Sequence, residues 1–97
     1  MENSEPSARP VVWYRIGVSQ PVEPSDPLPP LPEISRGSIV IVEGRAPIWR
    51  YAIAFHALHG SAAAAVCTYD PKLGAVVVAS HVKDLHDGII LDVTPPS

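Results

Sequence analysis

The 97-residue chain has a single cysteine, no long apolar run and no excess of basic residues. One cysteine, Cys67, excludes an internal disulfide and any zinc site built from cysteines. No apolar run approaches the ~20 residues of a membrane span, and residues 1–10 lack the apolar core of a signal peptide. Seven Lys and Arg against ten Asp and Glu give a net charge of −3, which argues against a general nucleic-acid binder. We therefore expect a soluble, cytoplasmic protein in which any nucleotide site is local.

The length and composition are those of one small globular domain, expected over residues 1–97. Hydrophobic residues make up 46% of the chain and charged residues 18%, which excludes an acidic or basic disordered tail. The charge is uneven, since residues 36–83 hold five Lys and Arg against two acids, whereas the remainder holds two against eight. The central segment therefore has a net charge of +3 and the rest of the chain −6, which indicates that the central segment binds an anionic ligand. The alternative is an uneven surface charge without any binding partner.

Proline, glycine and apolar patterning predict the order of elements. Eight of the twelve prolines precede residue 33, so the segment 20–34 is predicted to be an extended surface connection, with a proline-recognition ligand as the alternative. Pro47 suits the first turn of a helix over 47–59, which Gly60 is expected to end as a left-handed cap. Strands are predicted over 11–18, 38–43, 62–69, 75–80 and 88–93, with a tight turn at 70–74.

The predicted order strand–helix–strand over residues 38–69 makes those two strands parallel, and the hairpin after them adds an antiparallel neighbour. The fold class is therefore α/β, with a mixed sheet and one crossover helix. The runs IVIV and AVVVA are apolar without alternation, which predicts burial on both faces. One helix covers only one face, so we expect a second subunit to cover the other.

Two groups of polar residues are candidates for chemistry. Gly44, Arg45 and the helix N-terminus follow one parallel strand, and Asp70 and Lys72 follow the other, so all lie at the carboxyl edge of the sheet, where phosphate can bind. A glycine at such a position is also commonly just a turn. The second group contains histidines, which can ligate a metal, act as acid and base, or contact phosphate, or can simply be favourable partners of the helix dipole: His56, His59 and His81.

The two groups are expected at opposite ends of the domain, because a helix of 13 residues is roughly 20 Å long. One reaction that uses both then requires a site assembled between subunits. Of the remaining residues, Cys67 is expected to be a buried structural thiol and His86 to be solvent-exposed. Tyr69 is expected either to pack or to stack on a base. Three helix aromatics are expected in core or dimer packing: Trp49, Tyr51 and Phe55.

Three runs at this spacing carry a family resemblance: GRAPIW at 44–49, HALH at 56–59, and YDPKLGAVVV at 69–78 followed by His81. Together they resemble the small CRISPR-associated ring nucleases that degrade cyclic tetra-adenylate, distant relatives of the CARF (CRISPR-associated Rossmann fold) domains. The resemblance covers essentially the whole chain. It implies a Rossmann-like fold, a homodimer, and a dimer of dimers that sandwiches the ligand in type III CRISPR defence.

The resemblance also implies manganese (Mn²⁺) as the cofactor and cyclic tetra-adenylate or short adenylate RNA as the ligand. His59 and Asp70 match the family's catalytic positions, and His56 and His81 match its nearby histidines. Lys72 stands where an arginine is usual, so the bidentate contact to phosphate is lost. The leading hypothesis is thus a ring nuclease that ends type III CRISPR signalling, with His59 and Asp70 catalytic. The alternatives are a non-catalytic sensor of cyclic oligoadenylate or RNA and a manganese-dependent 3′-exonuclease on polyadenylate RNA.

Overall fold

The computed structural model describes residues 3–4 and 9–96 of the chain. Within them lie one helix, α1 (Ile48–Leu58), and the strands β1 (Asn3–Ser4), β2 (Val11–Arg15), β3 (Ile39–Glu43), β4 (Ala65–Asp70), β5 (Gly74–Ser80) and β6 (Ile90–Leu91). The strands form one sheet in the order β1-β6-β5-β4-β3-β2. β2, β3 and β4 are parallel, and β5 is antiparallel to both β4 and β6. The predicted α/β class, parallel crossover and hairpin are confirmed.

The helix is shorter than predicted, and its end differs in kind. Pro47 is the N-cap residue rather than the first helical residue, and the helix ends at Leu58. Gly60 does not have a positive φ, so the predicted left-handed cap is wrong. The C-cap residue His59 keeps helical angles and donates its N–H to the His56 carbonyl at 3.2 Å. The Ser61 N–H then bonds to the Leu58 carbonyl at 3.0 Å, so a tight turn ends the helix without a left-handed residue.

Strand β3 is buried on both faces, as its unbroken apolar run predicts. Val40 and Val42 lie in the core cluster that contains Ala54 and Leu58 of α1. Residues 39 and 41 face the opposite cluster, which includes two side chains from the segment between β5 and β6: Leu85 and Ile89. The expectation that a second subunit must cover this face is therefore wrong, because the chain covers it itself. The homodimer remains a prediction that rests on the family resemblance.

The proline-rich connection is tied down by two side chains from the core. The Tyr14 hydroxyl donates to the Pro29 carbonyl at 2.6 Å. The guanidinium of Arg50, a helix residue only 5% exposed, donates to the carbonyls of Ile16 at 3.2 Å and Pro27 at 3.4 Å. Between residues 20 and 34 there is neither helix nor strand, as predicted. Its carbonyls serve the domain's own core, which favours the structural interpretation over a proline-recognition ligand.

None of the helices in the described part of the chain has the length and apolar character needed to cross a bilayer. Among the apolar residues of α1, Ala54 and Leu58 are buried in the core of the domain.

Candidate functional site

A cavity of about 530 Å³ lies between the C-terminal half of α1 and the strands β4 and β5; we call it the histidine groove. It exists because α1 lies over β3 and leaves the neighbouring part of the same sheet face open. Val78 and Ala79 of β5 are consequently exposed and form part of its floor, and Phe55 lines the helix side. The polar lining includes the predicted histidines: His56, His59 and His81. The predicted gathering of these histidines is thus observed.

Local structure sets each histidine in place. His56 lies in the last turn of α1, and His59 is the C-cap residue. His81 directly follows β5, and its backbone N–H donates to the Ala64 carbonyl at 2.8 Å, just before β4. All three side chains are exposed, and the groove has no Asp, Glu, Lys or Arg in its lining.

The implied manganese ion does not fit the residues of a single chain. No group of three His, Cys, Asp or Glu side chains among the described residues is arranged to hold a metal ion. The groove histidines line one cavity without converging on one point, and imidazole is in any case a ligand more typical of zinc, copper or iron than of manganese. The described residues of one chain therefore offer no manganese site.

Asp70 lies at the carboxyl end of β4 and shapes the turn that follows. Its Oδ1 atom accepts the backbone N–H groups of Lys72 at 2.7 Å and Leu73 at 3.0 Å. The carboxylate is therefore partly engaged in local structure, and it presents Lys72 on an exposed turn. The Lys72 ammonium can bind a phosphate there as a point charge, whereas an arginine would offer a planar guanidinium with two parallel donors.

Gly44 is a glycine for reasons of packing. Its φ is +131°, and a Cβ placed on it would lie 2.3 Å from the backbone nitrogen of Gly17. The Gly44 carbonyl also accepts the Tyr51 hydroxyl at 2.6 Å. Burial and the nearby Glu43 carboxylate raise the pKa of Tyr51, and that hydrogen bond partly offsets them. The close chain crossing explains Gly44 without a ligand.

Arg45 is exposed beside the start of α1. The helix begins without a side-chain cap and without an acidic residue in its first turn, so its own residues do not offset the positive end of its dipole. Arg15, which sequence reasoning did not single out, lies at the same edge of the sheet. It pairs with Glu43, with 3.7 Å between Nε and Oε1, and donates to the Pro96 carbonyl. Its position at the end of a parallel strand was the signal that could have identified it.

The two groups of candidate residues lie at opposite ends of β4, as predicted. Asp70 pairs with Gly74, whereas Ala65 at the other end pairs with Ser80, which precedes His81. Five residue steps along a strand correspond to about 17 Å. The 11 residues of α1 give a similar length of about 16 Å between its ends. A small ligand bound to the histidine groove of one chain therefore does not reach Asp70 of the same chain.

The remaining predictions concern packing. Cys67 is fully buried, and burial raises the pKa of its thiol to about 12, in agreement with a structural role. Tyr69 packs edge-on against Trp13, with 5.9 Å between ring centroids. Of the two roles expected for Tyr69, packing is therefore the one observed. His86 is exposed, as expected, and does not line the groove.

The fold and its two ends define a class: a small α/β domain with a histidine-lined groove at one end of the sheet and exposed cationic side chains at the other. The family model described as "CRISPR-associated protein (Cas_csx3)" matches residues 15–92. That range runs from the end of β2 through β6 and includes both groups of candidate residues. The chain belongs to this CRISPR-associated family.

Proposed function

We propose that this protein is a phosphodiesterase that opens cyclic tetra-adenylate into linear oligoadenylates and so ends type III CRISPR signalling. The histidine groove carries the proposal: its volume of about 530 Å³ suits a nucleotide-sized group. Its apolar lining, with Phe55 and Val78, favours a flat base, and the histidines at its rim are suited to a phosphate. Membership of a CRISPR-associated family supports the same biological setting.

The groups at the two ends have distinct roles in this proposal. His59 acts at the scissile bond, while His56 and His81 contact the ligand beside it. Lys72 and Arg45 of another copy approach from the opposite side and place the phosphates, and Asp70 of that copy acts with His59 at the scissile bond. Because the ends of one chain are about 17 Å apart along β4, the complete site requires at least two copies, as in a dimer of dimers around the ring. Gly44 is proposed to lie beside the ligand and to contact it with backbone atoms only.

Incubation of the purified protein with radiolabelled cyclic tetra-adenylate, with and without Mn²⁺, tests the activity. We expect linear product, no product with His59→Gln, and unchanged turnover with His86→Gln, the matched histidine outside the groove. The absence of product from wild-type protein under both conditions would refute the proposal. Faster cleavage of linear polyadenylate than of the ring would instead indicate the 3′-exonuclease.

A complementation experiment tests the shared site. Asp70→Asn keeps an oxygen that can accept the backbone N–H groups of the turn, so the fold is preserved while the negative charge is removed. Asp70→Asn and His59→Gln are each expected to be inactive, and their mixture to regain part of the activity. Specific activity should also fall on dilution, because assembly is lost by mass action. A mixture that stays inactive, with activity independent of concentration, would contradict the shared site.

A non-catalytic sensor is the second candidate. The engagement of Asp70 Oδ1 by two backbone N–H groups favours it, since that atom is then held by the turn that follows β4. A sensor binds the ring tightly and leaves it intact after long incubation, which the same labelled ligand would reveal.

A further inference from the structure

The chain leaves β6 at the edge of the sheet where the phosphate-binding candidates lie. Leu91 is the last residue of β6. Its carbonyl oxygen would lie 2.7 Å from a Cβ placed on Gly74, and Gly74 pairs with Asp70 across the turn between β4 and β5. The segment that follows, residues 92–96, therefore begins beside the turn that presents Lys72. We call this segment the C-terminal strap.

The C-terminal strap crosses the carboxyl edge of the sheet. β6 and β2 are separated by β5, β4 and β3, so four interstrand spacings, about 19 Å, lie between them. The Pro96 carbonyl nevertheless accepts a hydrogen bond from the guanidinium of Arg15, at the end of β2. Five residue steps from Leu91 span at most about 18 Å. The strap is therefore almost straight, and the Arg15 side chain bridges the remaining gap.

Burial alternates along the C-terminal strap, as it does along a strand on a surface. Val93 and Pro95 are half-buried, whereas the residues between and beside them are exposed: Asp92, Thr94 and Pro96. Val93 packs against the core cluster that contains Ile41 and Leu91, on the face of the sheet opposite α1. The strap is thus attached by an apolar contact near its start and by one hydrogen bond at Pro96, so its far end can detach while its start stays in place.

Arg15 projects from the same face of the sheet as the C-terminal strap. Trp13 packs against that core cluster, and side chains two residues apart on a strand share a face. Among the described residues, the partners of the Arg15 guanidinium are the Pro96 carbonyl and the Glu43 carboxylate. The carbonyl is neutral, and the 3.7 Å between Arg15 Nε and Glu43 Oε1 exceeds a hydrogen-bond distance. Arg15 is therefore a half-exposed cation that a stronger anionic partner can take over.

We propose that Arg15 is a phosphate-binding residue of the carboxyl edge and that the C-terminal strap blocks it in the free protein. A phosphate of a ribonucleotide phosphodiester replaces the Pro96 carbonyl on the guanidinium, and the far end of the strap detaches. A phosphate wins this exchange because two of its oxygens accept from one guanidinium and because the contact is between opposite charges. The inference rests on the proposed function, in which Lys72 and Arg45 of the same edge place the phosphates.

Arg15 supplies a contact that Lys72 does not offer. The Lys72 ammonium binds a phosphate as a point charge, whereas the Arg15 guanidinium is a planar fork that fixes the orientation of the phosphate. β2 and β4 are two interstrand spacings apart, about 10 Å, with β3 between them. The two cations therefore suit different phosphates of one oligonucleotide ligand.

The first experiment measures the affinity of cyclic tetra-adenylate by calorimetry, in a His59→Gln parent in which the ring is expected to stay intact. Arg15→Gln should weaken binding by about 10- to 100-fold, because a hydrogen-bonded contact between charges is lost. It should also flatten the salt dependence of binding, since fewer counterions are displaced from phosphate. Arg15→Lys, which keeps the charge, should fall between Arg15→Gln and the parent.

These outcomes separate the inference from the proposed function. Unchanged affinity and salt dependence in Arg15→Gln overturn the inference and leave the phosphodiesterase proposal standing. No binding of the ring to the parent or to the wild-type protein overturns both. A surface ion pair contributes little to stability, so circular dichroism should show that Arg15→Gln is folded.

The second experiment tests the blocking role of the C-terminal strap. Val93→Ser removes the apolar contact that holds the strap and should tighten binding of the ring by a factor of about 2 to 5, because the unblocked state becomes more populated. Thr94→Ala, an exposed position in the same segment, is the matched control and should change nothing. The gain should vanish when Val93→Ser is combined with Arg15→Gln. Unchanged binding by Val93→Ser, or an equal gain without Arg15, contradicts the competition.

Discussion

Replacement of Gly44 by alanine tests whether this residue serves the fold or the ligand. The φ of +131° lies in a region that residues with a Cβ rarely adopt, at a cost of about 1–3 kcal/mol. The new Cβ would lie 2.3 Å from the nitrogen and 2.6 Å from the Cα of Gly17, so backbone must move. Forced overpacking of this kind costs about 1–3 kcal/mol more. We expect Gly44→Ala to lower the free energy of unfolding by about 4 kcal/mol, the middle of the combined range.

Urea denaturation followed by circular dichroism measures this effect. Domains of this size have a total stability of about 5–15 kcal/mol, so the variant can still fold. Because the free energy of unfolding falls by about 1–3 kcal/mol per M of urea, the variant is expected to unfold at a urea concentration lower by more than about 1 M. Gly60→Ala is the matched control, because Gly60 has no atom within 4 Å of an added Cβ and no positive φ. It should change stability by less than about 1 kcal/mol. If Gly44→Ala is as stable as the control but loses ligand binding, the packing argument is wrong and the residue serves the ligand.

Two further predictions concern the core. Cys67, with a thiol pKa of about 12, should be almost wholly protonated at pH 8 and unreactive towards Ellman's reagent in the folded protein; one equivalent should react in urea, and rapid reaction without urea would contradict the burial. Arg50→Met removes the donor to the Ile16 and Pro27 carbonyls and should cost about 1–3 kcal/mol. Thermolysin should then cut the variant faster at Val22, which lies in the connection and is not followed by proline. Mass spectrometry identifies this cleavage, and an unchanged cleavage rate would show that Arg50 does not hold the connection.

Local patterning determined the secondary structure of this protein and the relative placement of its candidate residues. Period-two and unbroken apolar runs predict strands, and Pro47 marks the beginning of the helix because a fixed φ and a missing N–H are tolerated there. Since consecutive strands joined by a helix run parallel, the chain order alone places Asp70 and His81 at opposite ends of the sheet. These inferences depend only on neighbours in sequence and on general rules of chain direction.

Tertiary structure alone decided the features that depend on residues distant in sequence. Leu85 and Ile89 cover the face of the sheet that the patterning assigned to a second subunit, because burial is satisfied by any apolar group that reaches it. Arg50 reads as a surface cation but is buried against backbone carbonyls of the proline-rich connection. The lateral position of α1 over β3 opens the histidine groove beside it, and no local pattern specifies that offset, since it results from how helix and sheet side chains pack together.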